Sequence, residues 1–282
     1  MITQEIDFRT PRSEREVLAL LAEHGDDAKL LGGGMSLVPT MNLGLARPEM
    51  LISLNHVEEL AYVREHDGSL AIGARTRHAD VLADPLVRDG WPVLAEAARH
   101  IGDVQVRNRG TIGGSVAHAD PAADYLPVLS LLDATIVVRS TRGERVLPAD
   151  EFFVDIMFTA LEPDELVAEI RIPRLPAGSA AAYARLARVE GSFAIVNAAA
   201  LVGPGMARAA IGGVAAKPVL VDLTAATGGT IDNRTLEPVA AAVRVACGDP
   251  YEDLNGDAEY RREMAVVYVR RALQSAAARI TH

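Results

Sequence analysis

The sequence predicts an α+β chain in two parts divided near residue 175, and three observations predict it. Short strand patterns alternate with amphipathic helix patterns through the first part. The second part runs strands first and helices last, the order of an α+β unit. Between them lies "PRLPAGSA", Pro173 to Ala180, with two prolines and a glycine separating periodic segments.

"SEREVLALLAEH", residues 13–24, reads as a helix. Ser13 stands at its cap, Glu16 at the capping-box position, and Val17, Leu18, Leu20 and Leu21 give it an apolar face. "AKLLGGG" is a strand running into a glycine loop, and "EMLISLN" is a second strand. "SLAIGARTRHADVLADP" gives a strand, a turn and a short helix from about Thr76. "GWPVLAEAARHIG" is a helix ending near Gly102, followed by a second glycine loop. "DYLPVLSLLDATIVVRSTRGERVLP" gives a helix, a strand, a turn at Arg142–Gly143 and a return strand. "DELVAEIRIP" alternates as a strand. Beyond the linker, "AAYARLARV", "FAIVNAAALV" and "ARAAIGGVAAKPVLV" read as strands. "DAEYRREMAVVYVRRALQSAAARI" closes the chain as a long amphipathic helix. No internal repeat interrupts this order.

Composition narrows the function. The net charge of −10 and the dispersed arginines exclude nucleic acid as a partner, since phosphate tracks need clustered Lys and Arg. A single cysteine, Cys247, excludes an intrachain disulfide framework and a cysteine-held zinc or iron–sulfur site, and fits a reducing, cytoplasmic setting. It reads as a small apolar residue at a helix end. The start, "MITQEIDFRTPRSER", lacks the apolar run of a signal peptide. "FAIVNAAALVGPGMA" is broken by Asn197, Gly203, Pro204 and Gly205, so the chain is not expected to span a membrane.

Two glycine clusters carry the chemistry. "LLGGGMSLVP" places Gly32, Gly33 and Gly34 after a strand, with Ser36 following. Backbone N–H groups in such a turn form an anion nest suited to a pyrophosphate. Leu37 and Val38 exclude the dinucleotide fingerprint and the serine-hydrolase elbow, and no Gly-Lys-Ser/Thr follows to make a P-loop. Taken alone, the cluster is equally a tight turn between closely packed strands. "GTIGGSVAHADPAAD" repeats the theme with Thr111, Gly113, Gly114 and Ser115, then brings His118, Asp120 and Asp124. Two nests facing each other would hold one dinucleotide, with the acidic residues accepting from ribose or ring N–H groups. The His118–Asp120–Asp124 group also has the composition of a metal facial triad, but a loop-shaping role suits such close neighbours better. His78 reads as a helix-start residue.

Together the two clusters resemble the FAD-binding medium subunit of the molybdenum hydroxylases, the carbon monoxide dehydrogenase and xanthine dehydrogenase family. "LLGGGMSLVPTMNLGLARPEMLISLN", "RNRGTIGGSVAHADPAADYLPVL" and the closing "EYRREMAVVYVRRAL" carry the resemblance over essentially the whole chain. It implies a two-lobed FAD-binding domain of the p-cresol methylhydroxylase/vanillyl-alcohol oxidase type over 1–173, with lobes about 1–56 and 57–173. A C-terminal α+β domain of the carbon monoxide dehydrogenase flavoprotein type would follow over 177–282. It further implies that Leu31, Gly32, Gly33, Gly34, Met35, Ser36 and Leu37 line one side of the FAD pyrophosphate, and Thr111, Gly113, Gly114 and Ser115 the other. Asp124 would serve the ribityl or adenosine portion, and His118 and Asp120 would shape the loop and bond the cofactor. Ile101, Leu161, Arg185 and Phe193 would stand at the flavin ring. Ser115 replaces the usual Asn or Asp, Arg185 a common Lys, and Phe193 a frequent Tyr.

The resemblance implies no catalytic residue in this chain for the organic substrate. A large partner would oxidise it at a molybdenum cofactor, and a small partner with 2Fe–2S clusters would pass electrons to FAD here, then to an external acceptor. The assembly implied is a dimer of heterotrimers, cytoplasmic or peripheral at the inner membrane face. A stand-alone FAD oxidoreductase of the same fold and a non-catalytic nucleotide-binding assembly or regulatory subunit are the alternatives.

Overall fold

The computed structural model describes residues 5–280 except Gly229 and Asn233. Its first unit contains β1 (Asp7–Arg9), α1 (Glu14–His24), β2 (Ala28–Leu31), α2 (Leu37–Asn42) and β3 (Met50–Ser53). The sheet order is β1-β3-β2, and both pairings are parallel. Parallel neighbours need crossovers rather than tight turns, and α1 supplies the one from β1 to β2. The Ser13 hydroxyl accepts from the Glu16 N–H, so the cap read from the sequence forms. β3 is buried along its whole length, and Ile52 packs with Val17, Leu21 and Ala168. β1 has no sequence signature because its three residues are all exposed.

The second unit opens with β4 (Val63–His66) and β5 (Ser69–Gly73). Six helices follow: α3 (His78–Ala83), α4 (Pro85–Gly90), α5 (Pro92–His100), α6 (Val104–Arg109), α7 (Ile112–His118) and α8 (Tyr125–Leu131). The chain then forms β6 (Thr135–Ser140), β7 (Gly143–Pro148), α9 (Ala149–Phe152), the small hairpin β8 (Phe153–Asp155) and β9 (Phe158–Thr159), and β10 (Leu166–Pro173). The antiparallel order β4-β5-β10-β6-β7 makes a five-stranded sheet. The segment read as a second glycine loop is instead largely helical. Asp103 caps α6 by accepting from the Val106 N–H at 2.8 Å, and Thr111 caps α7 through the Gly114 N–H at 3.0 Å. Helices this short draw their stability from caps and tertiary packing rather than propensity. Their apolar period is too brief to see in sequence.

The last unit holds β11 (Ala180–Ala187), β12 (Ala194–Gly203), β13 (Met206–Gly212) and β14 (Val219–Asp222), an antiparallel meander. α10 (Thr224–Thr227), α11 (Leu236–Cys247) and α12 (Ala258–Ala277) complete it. Both faces of this sheet are covered. Tyr183, Ala199 and Leu201 pack into a core shared with α5 and α8, while Ala182, Ala198 and Ala200 face α11 and α12. A strand buried on both sides loses the apolar–polar alternation, which is why β12 reads as a continuous alanine-rich run. Cys247 ends α11 in the second core, and burial pushes its thiol up to about 11.

Two buried anchors brace the linker and the last unit. The indole N–H of Trp91 donates to the Pro173 carbonyl at 2.7 Å, pinning the linker. Arg261 of α12 is buried and donates to the carbonyls of Ile195 and Gly213 at 2.5 and 2.8 Å, while stacking on Tyr251. Arg261→Ala leaves two buried carbonyls without that donor, each worth roughly 1–3 kcal/mol. We expect a loss of about 2–4 kcal/mol in denaturant unfolding.

Candidate functional site

The first glycine cluster leaves the end of β2 and turns into α2. Gly34 takes φ +74°, a backbone conformation that favours glycine. Among the described residues, the N–H groups of Gly33, Gly34, Met35 and Ser36 reach no carbonyl of the chain. Consecutive unpaired N–H donors in a turn are the elements of an anion nest.

Gly33 faces the other way. A Cβ there would lie 2.5 Å from Gly110 Cα and press on the Arg109 carbonyl oxygen. A Cβ on Gly32 would lie 2.9 Å from Thr111 Oγ1. The two clusters, remote in sequence, therefore meet backbone to backbone. The close approach that demands glycine at position 33 is to the second segment of the chain, and Gly34 supplies the turn.

The second segment is anchored from below. The N–H groups of Ile112 and Gly113 donate to the carbonyls of Thr76 and Ala74 at 3.0 and 2.9 Å. The Ser115 N–H donates to the Thr111 carbonyl. With Gly114 donating to the cap, all four groups have acceptors within the chain, so this side offers side chains and a small exposed glycine rather than a second open nest. Arg77 clamps the junction by donating to the Arg109 carbonyl and, at 2.8 Å, to Asn55 Oδ1. His78 opens α3, as its sequence position indicates, and its ring lies where a side chain on Gly110 would have to go. Burial, then Arg77 and Arg107, push its pKa down to about 3.

The remaining candidates gather around Arg185. Its guanidinium donates to Asp124 Oδ1 at 2.9 Å, to the His100 carbonyl at 2.8 Å and to the Ser192 carbonyl. One side chain thus joins the segments that carry Ile101, Asp124 and Phe193. Phe193 is exposed, and Ile101 is half-buried. A Cβ on Gly191 would lie 3.4 Å from the Gly102 backbone, so the two loops are in contact there. Leu161 follows β9 and packs on the larger core. A cavity of about 560 Å³ beside this hub is bounded by His100, Arg185 and the α12 residues Tyr268, Arg271 and Gln274, and contains none of the glycine-cluster residues.

Asp124 is buried inward, where burial raises its pKa and Arg185 and the Tyr183 hydroxyl oppose the rise. Asp120 accepts from the Ala122 N–H at 2.8 Å and shapes its own loop. His118 is half-buried at the end of α7. No cluster of metal-ligating groups forms here or elsewhere among the described residues. Sequence reasoning missed Tyr183, Asn197, Arg77 and Asn55. Tyr183 shares a strand face with Arg185 by two-residue spacing, a usable signal. Asn197, a lone polar residue in an apolar strand, was visible only as an interruption.

Two family models match the chain in tandem: the FAD binding domain in molybdopterin dehydrogenase over residues 4–175, and the CO dehydrogenase flavoprotein C-terminal domain over 181–276. The chain belongs to this family. It is similar to the carbon monoxide dehydrogenase medium chain of Hydrogenophaga pseudoflava, 40% identical over 99% of each chain. It is also 39% identical to the 6-hydroxypseudooxynicotine dehydrogenase complex subunit alpha of Paenarthrobacter nicotinovorans, over 96% of this chain and 94% of that one. A solved carbon monoxide dehydrogenase from H. pseudoflava superposes with a TM-score of 0.91, 39% identity and full coverage of both chains. Quinoline 2-oxidoreductase from Pseudomonas putida 86 gives a TM-score of 0.90 at 31% identity, again with full coverage of both chains.

Membership makes this chain an oxidoreductase subunit with FAD as its cofactor. The first glycine cluster fits that cofactor: its free N–H groups suit a pyrophosphate, and Gly34 permits the turn that exposes them.

Gly33→Ala forces the Arg109–Gly110 backbone away and costs about 1–3 kcal/mol by overpacking. The flavin-free protein should therefore melt several degrees lower, which thermal unfolding will show. His78 has a depressed folded pKa, so its contribution is complete above about 6.5 and is lost as pH falls towards 3. Between pH 7 and 5.5, denaturant unfolding of the wild type should lose about 1 kcal/mol more than His78→Leu.

Proposed function

We propose that this chain is the electron-transfer subunit of a molybdenum-containing hydroxylase. In this reading a small subunit carrying 2Fe–2S clusters delivers electrons to FAD held here, and an external acceptor removes them. A large subunit holds the molybdenum cofactor and oxidises the substrate. The full-length similarity to medium chains of such dehydrogenases supports the large and small partners, and a dimer of heterotrimers is the assembly proposed. Among the described residues no helix is long and apolar enough to cross a membrane.

The single observation that carries this reading is the junction of the two glycine clusters, with the row of N–H groups on its first segment that reach no carbonyl among the described residues. FAD supplies the chemistry, because a flavin exchanges electrons singly or in pairs. The chain binds and orients. Leu31 to Leu37 would hold the pyrophosphate through backbone N–H groups and the Ser36 hydroxyl. Thr111, Gly113, Gly114 and Ser115 would close the opposite side, Gly114 leaving room for close approach and Ser115 adding a hydroxyl. His118 and Asp120 would border the ribityl or adenosine portion. Ile101, Leu161 and Phe193 would cover the ring with apolar surface and exclude water. Asp124 and Arg185 would set the polar edge.

The purified chain should be yellow, with flavin bands at about one FAD per chain, as expected of one site per domain. Molybdenum and iron should appear only with co-purifying larger and smaller chains. A colourless chain that takes up no added FAD overturns the reading.

A further inference from the structure

Tyr183 is absent from the set of residues that the resemblance places at the cofactor, yet it lies at the centre of the hub. Its hydroxyl donates to Asp124 Oδ1 at 2.6 Å, the same oxygen that accepts from Arg185 Nη1 at 2.9 Å. The side chains of Asp124 and Arg185 are each only 6% exposed, so both charges have left water. A buried carboxylate stays ionised only where donors replace its hydration. Here two donors converge on one oxygen.

The support beneath this pair is rigid. Tyr183 and Arg185 stand two residues apart on β11, and Arg185 lies opposite Asn197 on β12. Asn197 is fully buried and reaches the carbonyls of Ala122 and Ala123, directly before Asp124. Its amide occupies the space that a side chain on Gly212 of β13 would need. The Tyr183 backbone N–H is held in turn by Glu96 of α5 at 3.1 Å. The sheet therefore presents a fixed row of groups to the Asp124 segment.

We propose that Tyr183 is a positioning residue for the flavin-ring end of the site, acting through the Asp124–Arg185 pair. The proposal rests on the assignment of FAD to this chain. The Tyr183 hydroxyl keeps the Asp124 carboxylate charged and oriented. The charged carboxylate holds the Arg185 guanidinium, which ties the His100 and Ser192 carbonyls and so fixes Ile101 and Phe193. Without the hydroxyl, Asp124 keeps one donor and takes up a proton more readily. Arg185 then loses its counter-charge while still buried. The other ionisable groups facing the pair are the His100 ring, packed 6.0 Å from the Tyr183 ring, and the neighbouring Tyr125; Arg99 and Glu190 bear on His100. Burial, then Arg185, lower the His100 pKa, with Asp124 opposing the fall.

The test is a double-mutant cycle on the full-length chain, read by FAD titration and by the absorption spectrum of the bound flavin at pH 7 and 5.5. Tyr183→Phe should weaken FAD binding about tenfold, the size of one hydrogen bond to a charged group, and more at the lower pH. The same substitution in an Asp124→Ala background, where no side-chain oxygen remains to accept from the hydroxyl, should change affinity less than about twofold. Unchanged affinity in Tyr183→Phe, or an equal loss in both backgrounds, overturns the proposal; the latter is the signature of a packing role. Far-ultraviolet circular dichroism checks the fold. Should Tyr183→Phe not fold, Tyr183→Met carries the same test: a loss that disappears in the Asp124→Ala background supports the proposal, and an equal loss in both backgrounds refutes it. Wild-type protein that takes up no FAD overturns the functional reading, whereas wild-type binding with an unaltered variant overturns this inference alone.

Discussion

The contact between Gly33 and the Arg109–Gly110 backbone is the constraint from which the site is built. A single methyl group has no place there. The contact sets the end of β2 against the junction of α6 and α7, elements separated in the chain by β3, β4, β5 and the helices between them. α7 is seated by Ile112 and Val116, which are buried in the larger core. Polar clamps add direction to that packing. Arg77 crosses from the Arg109 carbonyl to Asn55, and the N–H groups of Ile112 and Gly113 reach back to Thr76 and Ala74. With the second segment locked in this way, its amides are committed, and the first segment alone keeps a run of open donors.

The far end of the site obeys a different rule. There an ion pair is buried between α8 and the C-terminal sheet, and burying two charges costs several kcal/mol per ion before any attraction is counted. Such a pair adds little net stability, and its contribution is geometric. Asp124 stands at the start of α8, Arg185 on β11, and their union fixes how the second sheet unit faces the third. Apolar residues of similar volume would pack the same gap with less directional preference.

The sequence made the glycine clusters, the major strands and the closing helix legible, because each carries a period or a turn residue with a physical reason behind it. It did not reveal that the second cluster is helical. α7 contains two glycines and a single turn of apolar residues, and Thr111 as a cap looks the same as Thr111 as a phosphate ligand. Asp124 was legible as a site residue but not its direction, since an aspartate after Pro-Ala-Ala points outward as readily as inward. Tyr183 and Asn197 were hidden for another reason. Both lie in strands whose two faces are buried, where alternation no longer separates core from site. Only the strand register, which sets Arg185 opposite Asn197, shows that they form one row.

That row explains the arginine at position 185. The resemblance places a lysine there in many relatives, and one ammonium carries a single point charge with three donors on a flexible stem. The guanidinium here addresses three acceptors in three segments: the Asp124 carboxylate and the His100 and Ser192 carbonyls. A planar fork reaches divergent acceptors without surrendering its charge, and it loses less freedom per bond than a lysine does. The exposed Phe193, lacking the hydroxyl that a tyrosine would offer, gains its placement from the Ser192 carbonyl beside it rather than from a bond of its own. Arg185 thus anchors, through the Ser192 carbonyl, the backbone on which the exposed Phe193 ring is carried.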